Sequence, residues 1–97
     1  MKTTFGIIGY GRFGQLWARH LAKLGTVLVY DRKPLKIPAG RIRSASLTEV
    51  VGVDVLFLAV PISKLENCCK QIKHLLDPGT LVADVSSVKV FPAKILR

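Results

Sequence analysis

Short, continuously apolar runs alternate along the chain with longer segments in which apolar residues recur every three or four positions. The runs are typical of strands buried in a parallel sheet, and they cover residues 3–8, 26–30, 55–60 and 80–83. A shorter strand is predicted at residues 41–43. Strands that alternate with helical segments favour an α/β fold built on a parallel sheet.

Helices are predicted from the same pattern. The first carries an apolar stripe formed by Phe13, Leu16, Trp17, Leu21 and Leu24. A later helix has a stripe formed by Ile62, Leu65, Cys69, Ile72 and Leu76. Ser63 and Glu66 match a capping box at the start of that later helix, and Ser46 or Thr48 is predicted to cap a short helix through residues 49–51.

Two segments depart from the regular alternation. Residues 32–40 contain two prolines and end in a glycine, which predicts an extended link in place of the usual helix between parallel strands. The tail from Ser87 is predicted to begin another helix. Because domains typically have about 50 to 250 residues, a length of 97 residues predicts a single domain.

The charge of the chain, +9 at pH 7, raises the question of its partner. Five of the fifteen basic residues lie in residues 32–43, a stretch without an acid. Nucleic-acid binding is one interpretation of such a patch, but no aromatic residue lies among these bases to stack on a nucleotide base. A phosphate ligand or a solvated loop is a simpler explanation of the patch than nucleic-acid binding. We therefore expect no nucleic-acid partner.

Cysteine usage and hydropathy indicate the compartment. Cys68 and Cys69 are adjacent and have no third cysteine to pair with, so free thiols are predicted rather than a disulfide framework or a zinc site. No apolar run reaches the length of about 18 residues that spans a bilayer, and the N-terminus lacks the features of a signal peptide. A cytoplasmic protein without a membrane segment is predicted.

The most specific local pattern is the glycine spacing of residues 9–14, G-Y-G-R-F-G. Glycines at this spacing are weak evidence alone, and an ordinary turn between strand and helix is the alternative. Here a strand precedes them, a helix follows, and Asp31 ends the second strand, which is the context of a dinucleotide-binding site. The sequence thus predicts a Rossmann-type, doubly wound parallel sheet, truncated to about five strands.

The choice of nicotinamide cofactor is open between NAD and NADP. A carboxylate at Asp31 accepts a hydrogen bond from a ribose 2′-hydroxyl and repels a 2′-phosphate, which favours NAD. Arg32, reinforced by Lys33 and Lys36, pairs with such a phosphate, which favours NADP. The balance leans slightly to NAD.

A second group of residues follows the last two predicted strands, at the edge of the sheet where open α/β folds bind ligands. Val60 and Pro61 end one strand, and residues 84–89 follow the other. Ser86 and Ser87 offer hydroxyls, and Lys89 offers a charge to a carboxylate. Helix capping by the serines and a solvated lysine are the alternatives.

Three segments together resemble the N-terminal domain of the prephenate and arogenate dehydrogenases, most closely the plant type. They are G-Y-G-R-F-G-Q at residues 9–15, D-V-L-F-L-A-V-P at 54–61 and D-V-S-S-V-K-V-F-P at 84–92. The resemblance covers essentially all 97 residues. It implies NAD(P)-dependent oxidation of prephenate or arogenate with release of CO₂, a step of tyrosine biosynthesis.

By position, the resemblance implies a set of contact residues. Those expected to bind the cofactor are Gly9, Tyr10, Gly11, Arg12, Phe13, Gly14, Asp31, Arg32, Lys33, Val60 and Pro61. Ser87 is expected near the substrate ring and the nicotinamide.

The resemblance also has a gap, because no H-P-M-like segment with the family's catalytic histidine is found, and His20 and His74 do not replace it. We expect residues 1–97 to be the dinucleotide-binding domain without the C-terminal catalytic and dimerisation domain, inactive alone and binding prephenate or arogenate only with that domain. The alternative is a stand-alone nucleotide-binding module that acts through a partner chain. Self-association through the apolar edge strand at 80–83 or the tail helix is predicted.

Overall fold

The computed structural model describes residues 3–33, 35–37 and 40–85. These residues form one five-stranded sheet in which every strand pairing is parallel, with the order β3-β2-β1-β4-β5. The elements are β1 (Thr4–Ile8), α1 (Arg12–Leu21), β2 (Thr26–Tyr30), β3 (Ile42–Ser44), α2 (Leu47–Val51), β4 (Val55–Leu58), α3 (Ile62–Ile72) and β5 (Leu81–Asp84). The prediction of a doubly wound, Rossmann-type sheet is confirmed.

The sheet separates two apolar cores because successive strand residues point to opposite faces. On one face, Phe5 and Ile7 of β1 pack with Ala18 and Leu21 of α1. On the other face, Ile8 belongs to a cluster that α2 and α3 complete. That second cluster includes Val50, Val51, Leu56, Cys68 and Ile72. Helices on both faces therefore bury β1 from Phe5 to Ile8, as its continuous apolar run requires.

The extended link between β2 and β3 takes the place of a helix. Leu35 and Ile37 are partly buried and pack against the core cluster on the α1 face, to which Ile42 of β3 belongs. Two apolar side chains thus cover the surface that a crossover helix would cover. The predicted helix at Ser87 lies outside the described residues, as do Ser86 and Lys89.

Some predicted boundaries and contacts were wrong. α1 ends at Leu21, so Leu24 lies beyond it with 68% of its surface exposed instead of joining the apolar stripe. β4 ends at Leu58, two residues before the predicted end. β5 covers 81–84, one residue later than the predicted run. In α3, Cys68 is the buried cysteine and Cys69 is exposed, the reverse of the predicted stripe.

The capping box is found at α2 instead of α3. Pro61 precedes α3 without any side-chain cap, so the predicted pairing of Ser63 with Glu66 does not form. At α2, the Glu49 N–H donates to Ser46 Oγ at 3.1 Å and the Ser46 N–H donates to Glu49 Oε1 at 2.9 Å. α3 begins at Ile62, which places Ser63 inside the helix and not at its cap position. Of the two caps predicted for α2, the structure selects Ser46.

None of the helices in the described ranges combines the length and the apolar character needed to cross a membrane.

Candidate cofactor-binding site

An open cleft of about 1370 Å³ lies at the carboxyl ends of β1, β2 and β4. The chain reverses its direction of progress across the sheet at β1, since β2 and β3 lie on one side of it and β4 and β5 on the other. Such a switch point is where open α/β sheets bind their ligands, because the loops that follow the two central strands diverge there.

The residues around the cleft come from four segments. Residues 8–15 line it from the glycine loop and α1, residues 30–33 with Leu35 and Lys36 from the end of β2 and the following link, and residues 59–61 from the end of β4. α3 adds Ile62, Ser63, Lys64, Asn67, Cys68 and Gln71. Every predicted cofactor-binding residue lies among them, from Gly9 to Gly14, from Asp31 to Lys33, and at Val60 and Pro61.

Gly9 fixes the start of the glycine loop. Its φ of 102° lies in the left-handed region that side-chain-bearing residues rarely adopt. A Cβ at this position would lie 2.5 Å from the carbonyl oxygen of Ala59 at the end of β4. Its N–H donates to the carbonyl oxygen of Tyr30 at the end of β2, at 2.8 Å. The turn is thus held between both neighbouring strands.

Gly11 and Gly14 differ in what surrounds them. A Cβ on Gly14 would collide with the carbonyl oxygen of Gly9, because α1 starts directly against the loop. Apart from its two chain neighbours, no atom of the described residues lies within 4 Å of the position of a Cβ on Gly11, which borders the cleft. Gly14 is therefore required for packing inside the chain, whereas the space at Gly11 is available to a bound molecule.

The N-terminus of α1 favours an anion. Gly11 is its N-cap, no side chain caps the helix, and its first turn contains no acidic residue. The partial positive charge of a helix N-terminus attracts phosphate groups when backbone N–H groups point toward them. The residues of this first turn line the cleft.

Asp31 connects two segments of the cleft by hydrogen bonds to backbone. The N–H of Tyr10, between the first two glycines, donates to Oδ2 of Asp31 at 2.7 Å. The N–H of Lys33 donates to Oδ1 at 3.0 Å. Each carboxylate oxygen keeps a further lone pair that is able to accept a hydroxyl proton.

The charges around the cleft are mostly positive. Among the described residues that line it, the basic side chains are Arg12, Arg32, Lys33, Lys36 and Lys64. Asp31 is the acid in this set. All five basic side chains are exposed, so they attract a ligand of several negative charges without a burial cost. The basic patch of residues 32–43 thus brings three of its five cations to the cleft.

Sequence reasoning missed the contribution of α3. Ser63, Asn67 and Gln71 recur every four residues and line the cleft from one face of the helix. This spacing was present as a signal, because polar residues four apart share a helix face. It was not recognised because solvent-facing polar residues show the same pattern.

Neither histidine lines the cleft. His20 and His74 are exposed, and both lie outside the cleft-lining set. Cys68 lines the cleft but is buried, and burial, with a smaller contribution from the adjacent Cys69, raises the pKa of its thiol. A raised pKa disfavours the reactive thiolate. Ser87 lies outside the described residues.

Comparison with known proteins identifies relatives of the chain. Residues 17–97 match the family model described as prephenate dehydrogenase, nucleotide-binding domain. The chain is 30% identical over 101 residues to arogenate dehydrogenase 1, chloroplastic, of Arabidopsis thaliana, an alignment with 97% of this chain and 16% of that protein. It is 32% identical over 91 residues to the T-protein of Haemophilus influenzae, covering 92% of this chain and 22% of the relative. The chain thus spans less than a quarter of either relative.

Solved structures show the same fold. The NAD-dependent formate dehydrogenase of Staphylococcus aureus, in complex with NAD, superposes with a TM-score of 0.74 at 24% identity, over 89% of this chain and 27% of that one. The NADPH-dependent glyoxylate/hydroxypyruvate reductase of Sinorhizobium meliloti, in complex with citrate, superposes with a TM-score of 0.66 at 28% identity, over 86% and 27%.

The match to a nucleotide-binding domain agrees with the switch-point cleft and the parallel sheet. The family is the one that residues 9–15, 54–61 and 84–92 resemble. The chain belongs to the prephenate dehydrogenase family, and it carries the nucleotide-binding domain of that family.

Proposed function

We propose that the chain binds a nicotinamide dinucleotide along the cleft. The pyrophosphate lies over Gly11 at the start of α1, the adenosine ribose lies at Asp31, and the nicotinamide end extends toward Val60 and Pro61. The observation that carries this proposal is the open space at Gly11, next to a helix N-terminus that no side chain caps. A phosphate group approaches backbone N–H groups there without meeting a Cβ.

We propose further that the cofactor serves oxidation of prephenate or arogenate with loss of CO₂, in tyrosine biosynthesis and in the cytoplasm. Family membership supports this proposal. When bound, the nicotinamide supplies the acceptor for the hydride. The part of this chain is to hold the cofactor and to orient it at the ends of β1 and β4.

Residues 1–97 by themselves are proposed to bind without turnover. The described residues that line the cleft include no histidine, and the buried thiol of Cys68 is a poor proton acceptor. Prephenate or arogenate would then bind only together with a further domain, where Ser87 is proposed to lie near the substrate ring.

The proposed cofactor preference is a slight one for NAD. The carboxylate of Asp31 favours an unmodified ribose, while the exposed guanidinium of Arg32 and the ammonium groups of Lys33 and Lys36 oppose that preference by attracting a 2′-phosphate. The two sets of groups line the same end of the cleft.

The proposed partners are the cofactor and a second copy of the chain. β5 is an edge strand of the described sheet, and Leu81 and Val82 on it are 70% and 44% exposed. An apolar edge strand pairs readily with another strand. We propose no nucleic-acid or membrane partner.

Calorimetric titration of the purified chain with NAD and with NADP tests the proposal. We expect both to bind, NAD slightly more tightly, and we expect Arg32→Ala to weaken NADP with little effect on NAD. Failure of both cofactors to bind would overturn the proposal. Tighter NADP binding that is lost in Arg32→Ala would reverse the preference, and turnover by residues 1–97 with prephenate or arogenate would contradict the proposed inactivity.

A further inference from the structure

We infer that Asp31 is a positioning residue for the pyrophosphate-binding loop, in addition to its proposed contact with the ribose. The inference rests on the proposed function and adds a second role for the same side chain. It starts from the hydrogen bonds that the two carboxylate oxygens accept from Tyr10 and from Lys33.

The first of these bonds acts on the glycine loop itself. Tyr10 lies between Gly9, which packs against β4, and Gly11, which faces the cleft. Its N–H is part-buried and donates to the carboxylate over a separation of 21 residues. A hydrogen bond with an ionised acceptor is stronger than one between neutral groups. The bond therefore holds the peptide that leads into Gly11 in the orientation a pyrophosphate requires.

The second bond acts on the basic link. The N–H of Lys33 donates to the other carboxylate oxygen, so the backbone next to Arg32 is held by the same group that holds Tyr10. One carboxylate thus ties the pyrophosphate end of the cleft to the segment that carries its cations. An asparagine cannot do this, because it offers one oxygen acceptor and would turn its NH₂ toward an N–H donor.

This role changes what a substitution at Asp31 does. If the carboxylate only repelled a 2′-phosphate and bound a ribose, its removal would improve NADP binding. If the carboxylate also holds the loop, its removal weakens the binding of every ligand that uses the pyrophosphate site, including NADP. Loss of one negative charge would by itself strengthen the binding of an anion, so weaker binding indicates a displaced loop.

The test compares ADP with 2′,3′-dideoxy-ADP, which lacks the ribose hydroxyls, by titration into the wild type and Asp31→Asn. We expect Asp31→Asn to lower the affinity for both nucleotides by about tenfold or more, because hydrogen bonds to a charged group are lost. A loss for ADP alone would assign Asp31 to the ribose only and overturn the inference. Improved NADP binding in Asp31→Asn would overturn it as well.

Glu66→Gln is the matched control, because it also removes one negative charge but lies outside the cleft-lining set, where Glu66 forms an exposed ion pair with Lys70. We expect it to leave the affinity for 2′,3′-dideoxy-ADP within about twofold of the wild type, since an exposed charge away from the cleft is screened by salt. An equal loss of affinity for that nucleotide in both variants would indicate a general charge effect and contradict the positioning role.

Hydrogen exchange by NMR tests the inference independently of binding and of the folding of the variants. In the wild type without ligand, the amides of Tyr10 and Lys33 are expected to exchange slowly for loop residues. Rapid exchange of the Tyr10 amide would overturn the inference even if the cofactor binds. Slow exchange in a protein that binds no nucleotide would refute the proposed function and leave the hydrogen-bonded connection in place.

Discussion

The residues of the glycine loop are equal in the sequence pattern but unequal in what they contact. Gly9 has a positive φ and lies against β4, Gly14 lies against Gly9, and Gly11 borders only the cleft. The spacing G-x-G-x-x-G therefore combines two positions that the fold requires with one that the proposed pyrophosphate site requires. Substitutions separate these roles.

Gly14→Ala and Gly11→Ala form a matched pair. We expect Gly14→Ala to lower the free energy of unfolding by about 1–3 kcal/mol, because its Cβ meets the backbone of Gly9. Gly11→Ala is expected to cost about 1 kcal/mol or less, since the new methyl group meets no atom beyond its chain neighbours and the cost comes from the poorer N-cap that Ala makes. Denaturant unfolding measures these changes in stability. Calorimetric titration measures the affinity for NAD, which both variants should lose.

Unchanged NAD affinity in Gly11→Ala would contradict the placement of the pyrophosphate. Equal destabilisation by the two substitutions would contradict the packing assigned to Gly14.

The two adjacent cysteines differ mainly in burial. Burial raises the pKa of the Cys68 thiol, while Cys69 is exposed. We expect an alkylating reagent near pH 8 to modify Cys69 rapidly and Cys68 slowly, because the thiolate is the reactive form. Mass spectrometry of Cys68→Ser and Cys69→Ser identifies which thiol reacts, and faster reaction of the Cys69→Ser variant would contradict the assignment.

The raised pKa of Cys68 also sets the sign of a pH effect. The folded state holds the thiol proton more tightly than the unfolded state does. Its stabilising contribution is therefore complete below the ordinary pKa of a cysteine and is lost as the pH rises through the raised value. Stability should fall less steeply at alkaline pH in Cys68→Ser than in the wild type, as measured by thermal unfolding.

Among the elements, the short helix α2 depends most on a local signal. Its five residues are too few to be stable alone, so the reciprocal hydrogen bonds of Ser46 and Glu49 and the burial of Val50 and Val51 hold it in place. α3 carries the same sequence signal at Ser63 and Glu66 without using it, because the helix already starts at Ile62.

Ser46→Ala tests this difference with Ser63→Ala as its control. We expect Ser46→Ala to lower the free energy of unfolding by about 0.5–2 kcal/mol through loss of the N-cap. Ser63→Ala should change it by less than about 0.5 kcal/mol, because Ser63 is exposed and caps nothing. Chemical denaturation measures both, and equal losses would contradict the position of the cap.

The capping box also predicts an effect of acid. Hydrogen bonds from the backbone N–H of Ser46, and secondarily from its side chain, lower the pKa of Glu49. A lowered pKa in the folded state contributes stability that is present above the ordinary value of 4.5 and lost as the pH falls through the lowered value. Glu49→Gln should flatten the fall in stability below about pH 4.

At the scale of the whole molecule, the two edges of the described sheet differ. β3 is three residues long and carries an exposed arginine, which discourages pairing. β5 has Leu81 exposed on one face and Val82 on the other, and it pairs on one side with β4. The apolar edge at β5 is therefore the surface through which copies of the chain are expected to associate.

Leu81→Lys is expected to reduce this association, because a charged side chain on an edge strand opposes pairing with another strand. Sedimentation velocity over a range of protein concentrations measures it. Leu24→Lys is the control, since Leu24 is similarly exposed, at 68%, but lies beyond α1 and away from the edge. Equal association of Leu81→Lys and the wild type would exclude the β5 edge as the contact.

Much of the fold was predictable because it depends on local pattern. The strands at residues 4–8 and 26–30 and the helix that starts after the glycine loop follow from runs and spacings within a few turns of chain. Helix ends were less predictable, as Leu24 and Ser63 show, because capping signals compete and packing selects among them. That the glycine loop and Asp31 lie together at one edge of the sheet was predictable from their spacing and context, and their role in binding a cofactor stays a prediction.

The sequence by itself determined the alternation of strands and helices, the glycine loop, the acid at the end of β2 and the resemblance to a family. Only the tertiary structure decided that Cys68 rather than Cys69 is buried, that Ser63, Asn67 and Gln71 face the cleft, and that Asp31 holds the N–H of Tyr10. The physical reason is how far apart in the sequence the interacting residues lie. Periodicity and turn chemistry act between neighbours, whereas burial and the Asp31 hydrogen bond depend on segments that meet only when the sheet assembles.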